Sequence, residues 1–188
     1  MPLPTPFTIR RAAPDDARAI AEIGVAGWQA AYRGILPSDF LAGLLVHPRE
    51  LAWRARLESD DEDGAPAWVA ETDGRVLGFV AAGPPRDEEL ATDGAADPAR
   101  VAEIYAIYVL PGEWRRGVGR SLLDAARGDL DRRGARVLVL WVLEDNSSGR
   151  AFYEAMGWAP DGKRQTLDLG GIAVPEVRYR LFAASSGR

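Results

Sequence analysis

Cysteine is missing altogether from this chain of 188 residues, and histidine occurs once. The first absence removes three classes of function together: a disulfide framework, a thiolate nucleophile and a thiolate metal site. The lone His47 stands before Pro48 and reads as a loop residue. No histidine or carboxylate cluster has the spacing of metal ligands, so chemistry without a metal is expected. Long apolar runs are lacking too. None approaches the ~20 residues of a membrane span, and the N-terminus, MPLPTPFTIRR, has prolines where a secretory signal carries its apolar segment. A cytoplasmic protein with no membrane partner is expected. Nor is there an excess of positive charge: 23 basic residues against 28 acidic ones give a net charge of −5, whereas a nucleic-acid surface needs clustered Lys and Arg in excess. A neutral or cationic ligand is easier to accommodate. The acidic runs Ser59–Asp63 and Asp87–Glu89 read as solvated loops.

What is present is ordinary globular material, 47% apolar and 27% charged. A chain of this length is expected to form one domain, here residues 1–182, hiding roughly 70% of the surface that its unfolded chain exposes. Residues 183–188 read as a frayed tail. There are no internal repeats and no linker.

In chain order, Phe7–Ala12 reads as a strand and Pro14-Asp15-Asp16 as a helix start. That helix runs to about Tyr32 on a stripe of Ile20, Ile23, Ala26/Gly27 and Ala30/Ala31, and Gly34 ends it. A second helical stretch follows Pro37-Ser38-Asp39, with a break expected at His47-Pro48, and another carries Leu51, Trp53 and Leu57. Ala67–Glu71 and Val76–Ala82 are strands joined at Asp73-Gly74, a two-residue hairpin signal. Gly83–Arg100 is a long loop rich in Pro, Gly, Asp and Ala.

Val101–Leu110 is the strand that feeds the most informative stretch, YVLPGEWRRGVGRSLLDAA (Tyr108–Ala126). Here an apolar run breaks at Pro111-Gly112, and helical periodicity starts at Val118 between Gly117 and Gly119. A helix start leaves its first amides unpaired and carries about half a positive charge, so a glycine turn in front of it can hold a phosphate. Arg115, Arg116 and Arg120 add formal charge. A P-loop is excluded because no Lys-Ser/Thr pair follows the glycines, and a dinucleotide fingerprint because Leu122 stands where its third glycine belongs.

That helix stops at Gly134, and Arg136–Leu143 is an apolar run of strand length, as expected of a strand covered on both faces. Strand, helix, strand implies one parallel crossover. Asn146-Ser147 starts a helix over Ser148–Met156, ended by Gly157, and Gln165–Leu169 with Glu176–Leu181 form a last hairpin across Gly170-Gly171. The order is that of an α+β chain.

Three blocks, IYVLPGEWRRGVGRSLL, ARVLVLWVLEDNSSGRAFYEAMGW and, more weakly, TIRRAAPDDARAIAEI, resemble the Gcn5-related N-acetyltransferase (GNAT) superfamily, and the resemblance covers nearly the whole chain. It implies a three-layer α/β arrangement: a mixed, mostly antiparallel sheet whose central parallel strand pair splays apart, flanked by helices. It also implies acetyl-CoA as cosubstrate. Ile107, Tyr108 and Val109 would pair with the pantetheine through their backbones, and Arg115, Arg116, Gly117, Val118, Gly119 and Arg120 would surround the pyrophosphate. Trp114 departs from the family's usual Gln or Arg at its position and would pack beside the cofactor.

Under the same resemblance, Tyr153 would return a proton to the departing thiolate, and Asn146 would contact the cofactor. For each residue a plainer reading stays open, a core aromatic for Tyr153 and a helix cap for Asn146. Glu103, on the central strand, would take the acceptor's proton through water, its pKa raised by apolar surroundings; a strand-end surface residue is the alternative. Trp28 and Tyr32 either pack the first helix or wall an acceptor pocket. The implied reaction is direct acetyl transfer to a primary amine of a small molecule or peptide in a ternary complex. A non-catalytic acyl-CoA sensor is the competing class. The acceptor itself, and whether a second copy of the chain pairs with the first, are not legible.

Overall fold

The computed structural model describes residues 6–59, 66–86 and 100–182. Most of the expected 83–100 loop, the acidic residues 60–63 and 87–89, and the tail from Ala183 lie outside the described residues. The chain divides into two compact units, residues 1–83 with 106–126 and residues 84–105 with 127–188.

The first unit holds strand β1 (Thr8–Arg11), a 3-10 turn (Pro14–Asp16), helices α1 (Ala17–Ala31), α2 (Ser38–Ala42) and α3 (Val46–Glu58), and strands β2 (Ala67–Thr72) and β3 (Arg75–Gly83). It also takes the second half of β4 (Val101–Val109) and the first part of helix α4 (Val118–Arg132). β1, β2 and β3 pair antiparallel. The Asp73-Gly74 turn closes their hairpin with both residues at positive φ, 48° and 75°, the twist that a two-residue hairpin needs.

Helix α1 starts where Asp16 accepts a hydrogen bond from the Ala13 amide at 2.8 Å. It buries Ile20 and Ile23 against Val69 and Phe79 of the sheet, the apolar stripe that its periodicity requires. The break expected at His47-Pro48 is corrected: both residues lie in the first turn of α3, which begins at Val46. Proline fits there because a first-turn amide has no helical partner to lose.

The second unit holds the first half of β4, the remainder of α4, strand β5 (Val137–Leu143), helix α5 (Ser147–Ala155), and strands β6 (Ala159–Asp168) and β7 (Ala173–Phe182). β4 and β5 are parallel over Val101↔Val137 to Ile104↔Leu140. β5 pairs antiparallel with β7, and β7 with β6. The final hairpin turns at Gly170 and Gly171 as expected, but β6 begins six residues before Gln165. Between Pro160 and Arg164 its pairing with β7 is irregular, with Gly162 at φ 88°, after which the strand continues.

Strand order is β1-β2-β3-β4-β5-β7-β6. This is the α+β arrangement expected: a seven-stranded, mostly antiparallel mixed sheet with one parallel pair, flanked by helices. Parallel pairing occupies only the first four residues of β4. At the other end of the strand, Leu110 donates its N–H to Leu77 of β3 at 2.8 Å.

Candidate active site

In the first unit, β4 ends in a 3-10 turn at Pro111–Glu113 and then in two left-handed positions, Arg115 at φ 60° and Gly117 at φ 86°, before α4 begins at Val118. Alternation of the sign of φ across three residues turns successive amides toward one concavity, the geometry of a backbone anion nest. Glycine enters the left-handed region freely; arginine does not. A Cβ on Gly117 would meet nothing within 4 Å, so the mouth of the turn is open.

Side chains around the turn divide by task. Val118 is 2% exposed and belongs to the core, so only its amide is available to a ligand. Arg116 pairs with Glu113 at 2.7 Å, and Arg75 reaches the same carboxylate at 3.5 Å. These three residues, with Leu77 and Val118, line a cavity of about 340 Å³. Arg115 and Arg120 are exposed. Trp114 donates its indole N–H to the Val109 carbonyl at 2.8 Å, tying the turn back to the strand end.

The backbone of β4 is directional here. The Tyr108 carbonyl lies 2.8 Å from where a Cβ on Gly78 would sit, so it faces β3, as the Leu110 amide does. Strand alternation turns the main-chain groups of Ile107 and Val109 to the opposite edge. Of the three residues expected to pair with pantetheine, these two turn their main-chain groups away from β3. The Tyr108 side chain instead packs on α1, where a Cβ on Gly27 would come within 2.6 Å of its ring. Its hydroxyl meets that of Tyr32 at 3.1 Å. Trp28 stands edge-on to Tyr32 with ring centroids 5.0 Å apart, so Trp28, Tyr32 and Tyr108 form one half-buried aromatic group.

In the second unit Glu103 is 1% exposed. Its surroundings are not the apolar ones expected. Arg86 donates its backbone N–H to Oε2 at 2.8 Å and its Nε and Nη2 to Oε1 at 3.1 and 2.5 Å. The same guanidinium lies over the Tyr105 ring at 4.7 Å, so Glu103 and Tyr105 share a face. Across the strands Glu103 aligns with Val139 and Arg180, Trp141 with Arg178, and Leu143 with Glu176. One face of this half of the sheet therefore carries Glu103, Arg180, Arg178 and Glu176 in a row. Asp161 accepts from Arg178 at 2.7 Å and lies 3.3 Å from Arg180. Burial pushes the Glu176 carboxyl above its ordinary pKa; the Gln165 amide and Arg86 pull it down, Glu103 pushes it up, and the balance is upward. Neither Arg86 nor Glu176 was singled out by the sequence: Arg86 lies in an aperiodic loop, and Glu176 reads as an ordinary strand residue.

Asn146 and Tyr153 both lie on α5 or at its start. Asn146 is buried and caps the helix, its Oδ1 accepting from the Gly149 amide at 2.9 Å. Tyr153 is half-buried among Phe152, Trp158 and Tyr179, with centroids 5.3, 6.2 and 6.3 Å away. Tyr179 is the other tyrosine of this group and is locked: its hydroxyl donates to Glu154 at 2.6 Å and accepts from Arg150 at 3.0 Å. Burial and Glu154 hold its proton on more tightly than usual. Among the described residues no group of three or more His, Asp or Glu side chains is placed to hold a metal ion, and no helix is long and apolar enough to cross a membrane.

A model of the acetyltransferase (GNAT) family matches residues 28–158, more than two thirds of the chain. The chain belongs to the acetyltransferase (GNAT) family. Two relatives extend the GNAT assignment beyond the matched core. The chain is 31% identical over 183 residues to a probable N-acetyltransferase, Rv2775, of Mycobacterium tuberculosis, covering 97% of both. It is 32% identical over 172 residues to the uncharacterized N-acetyltransferase YuaI of Bacillus subtilis, covering 90% of both. Among solved structures, the PaiA N-acetyltransferase of Thermoplasma acidophilum, crystallised with coenzyme A, superposes with a TM-score of 0.74 at 18% identity, over 95% of this chain and 99% of that one. YncA of Salmonella typhimurium, solved with acetyl-CoA, gives 0.67 at 22% identity over 97% of each. At those identities the structures bear on the GNAT fold alone.

Proposed function

We propose that this protein is an acetyl-CoA-dependent N-acetyltransferase that acetylates a primary amine of a small molecule or peptide by direct attack in a ternary complex. The observation that carries this reading is the turn from Arg115 to Gly119: left-handed positions, an open mouth and exposed Arg115 and Arg120 directly before a helix start. That donor set suits a pyrophosphate, so the residues fit the cosubstrate. Acetyl-CoA would supply the activated acyl group.

The chain's residues would then act as follows. Amides from Arg115 to Gly119, with Arg115 and Arg120, hold the pyrophosphate. Ile107 and Val109 pair with pantetheine along the edge of β4 that faces away from β3. Trp114 binds the Val109 carbonyl, and the Val109 N–H is the donor offered to the thioester oxygen, a fixed donor worth roughly 3 kcal/mol in acyl transfer. Trp28 and Tyr32 wall the acceptor side. As the amine nitrogen bonds to the acyl carbon and the C–S bond breaks, Tyr153 gives a proton to the sulfur, and the amine's proton passes to a carboxylate on the face that Glu103 shares with Glu176. Asn146 contributes by capping α5 and, through it, holding Tyr153. No covalent enzyme intermediate is needed. The protein would work in the cytoplasm as one domain over residues 1–182, without a metal and without nucleic-acid or membrane partners.

The test is release of CoA thiol with a broad amine panel, alongside calorimetry for CoA. Tyr153→Phe is expected to lose about 10²–10⁴-fold in rate while keeping CoA affinity. Full activity in that variant refutes the acid role. One observation favours a second reading, a non-catalytic acyl-CoA sensor: Arg86 fills both oxygens of Glu103. Tight CoA binding with no turnover on any amine would establish it.

A further inference from the structure

Two carboxylates, Glu103 and Glu176, lie on one face of the second unit within electrostatic reach of the same guanidinium. They are not equivalent. Glu103 accepts three hydrogen bonds from Arg86, divided over both its oxygens. Three of its four lone-pair sites are thereby taken, and Glu103, 1% exposed, can meet a substrate only through the one left on Oε2. Glu176 accepts one, at Oε2 from the neutral Gln165 amide at 2.8 Å; its Oε1 has no partner among the described residues.

The charges around Glu176 are sorted in the same way. On β7 itself Arg178 and Arg180 face Asp161 of β6 at 2.7 and 3.3 Å. From β4 and the segment before it come Glu103 and Arg86, which satisfy each other. β6 contributes Gln165, and β5 contributes Leu143 opposite. Glu176 thus stands beside the Arg86–Glu103 pair and the Asp161 group, and its own side-chain hydrogen bond goes to a neutral amide and not to a cation. That is the setting of a proton acceptor and not of a structural counter-ion: half-buried, oriented by one neutral hydrogen bond, with one oxygen to offer.

We propose that Glu176 is the catalytic residue that accepts the proton of the acceptor ammonium, and that Arg86–Glu103 is a fixed ion pair that positions charge beside it. The assignment rests on the transferase reading above. Glu176 Oε1 takes one proton from the bound ammonium, leaving a neutral amine whose lone pair forms the N–C bond as the C–S bond breaks. Tyr153 protonates the departing thiolate, and the second proton lost by that nitrogen restores the Tyr153 hydroxyl; Glu176 returns its own proton to solvent. The upward displacement of the Glu176 carboxyl brings its affinity for a proton closer to that of the species it must accept from.

The experiment compares Glu176→Gln, Glu176→Asp and Glu103→Gln with the wild type in four measurements. Carboxyl NMR of the free protein with labelled glutamate should show that the resonance lost in Glu176→Gln titrates above the ordinary glutamate range. Calorimetry should give the same CoA affinity in all four proteins, which also reports that the variants are folded. On the best amine of the panel, Glu176→Gln should lose about 10²–10⁴-fold in kcat/KM together with the acid limb of the pH profile. Glu176→Asp should lower kcat and keep that limb, and Glu103→Gln should keep it as well. If Glu176→Gln retains rate and limb, or if its resonance titrates in the ordinary range, the assignment is overturned while the transferase reading stands. If the wild type binds CoA and turns over no amine, the transferase reading falls and this assignment with it.

Discussion

Replacing Arg86 with methionine keeps most of its side-chain volume and removes its charge. Two hydrogen bonds to Glu103 disappear, those at 3.1 and 2.5 Å, while the one from the Arg86 backbone N–H at 2.8 Å survives. Breaking a buried ion pair by deleting one partner costs about 3–5 kcal/mol. That range must be discounted here, because the Arg86 side chain is 64% exposed and water can follow it out toward Glu103. About 2 kcal/mol is left, which in a chain of this size lowers Tm by about 4–8 °C. Melting curves of both proteins at neutral pH should show that deficit. A deficit below about 1 °C would mean that the Arg86 guanidinium does not support the buried Glu103.

Other outcomes are expected elsewhere in the fold. Asp16 is buried at the start of α1 and accepts from Arg10 at 2.7 and 2.9 Å and from the Ala13 amide at 2.8 Å. Burial pushes its carboxyl up, but these donors prevail and hold it below 3.8. Its contribution is present above that value and is lost as pH falls through the lower, folded one. Asp16→Ala should thus cost about 2 kcal/mol in urea unfolding at neutral pH, as the loss of a cap together with a half-exposed ion pair, and the deficit should shrink below pH 3.8. Gly27→Ala drives a methyl to within 2.6 Å of the Tyr108 ring. Overpacking of that kind costs about 1–3 kcal/mol, and the near-ultraviolet dichroism of Tyr32 and Tyr108 should change with it; an unaltered spectrum and Tm would show that the helix is not seated on that ring.

How much of this was legible follows from the range of the interactions. Asp73-Gly74 is read correctly because a two-residue turn is decided by those residues' own φ preferences. The same holds for the turn before α4, where Pro, Gly and three arginines lie within ten positions. The parallel strand Val137–Leu143 shows in its unbroken apolar run, since both faces are covered. Glu103 is placed on the right strand, but its state is not readable: its partner comes seventeen residues earlier through a segment without periodicity, and no local pattern links the two. Glu176 is hidden for the same reason, because register across three strands is what aligns it with the row of charges. Pro48 is misread because the break it signals is absorbed by the surrounding helix, where it meets only an unpaired first-turn amide.

Arg115 adopts a backbone conformation that glycine would reach without strain, and the fold bears that cost of about 1 kcal/mol in every molecule, with or without a ligand. A position under two opposed demands has few acceptable occupants. Residue types that satisfy the backbone are glycine and asparagine; those that supply a cation are arginine and lysine; no residue does both well. Relatives in which this turn has lost its cationic contact should therefore relax to glycine or asparagine at position 115 and gain stability by doing so. Relatives that retain the contact should keep the arginine and carry the strain. Position 115 is thus a place where the substitution pattern across the family can be read directly as the balance between holding a phosphate and holding the fold.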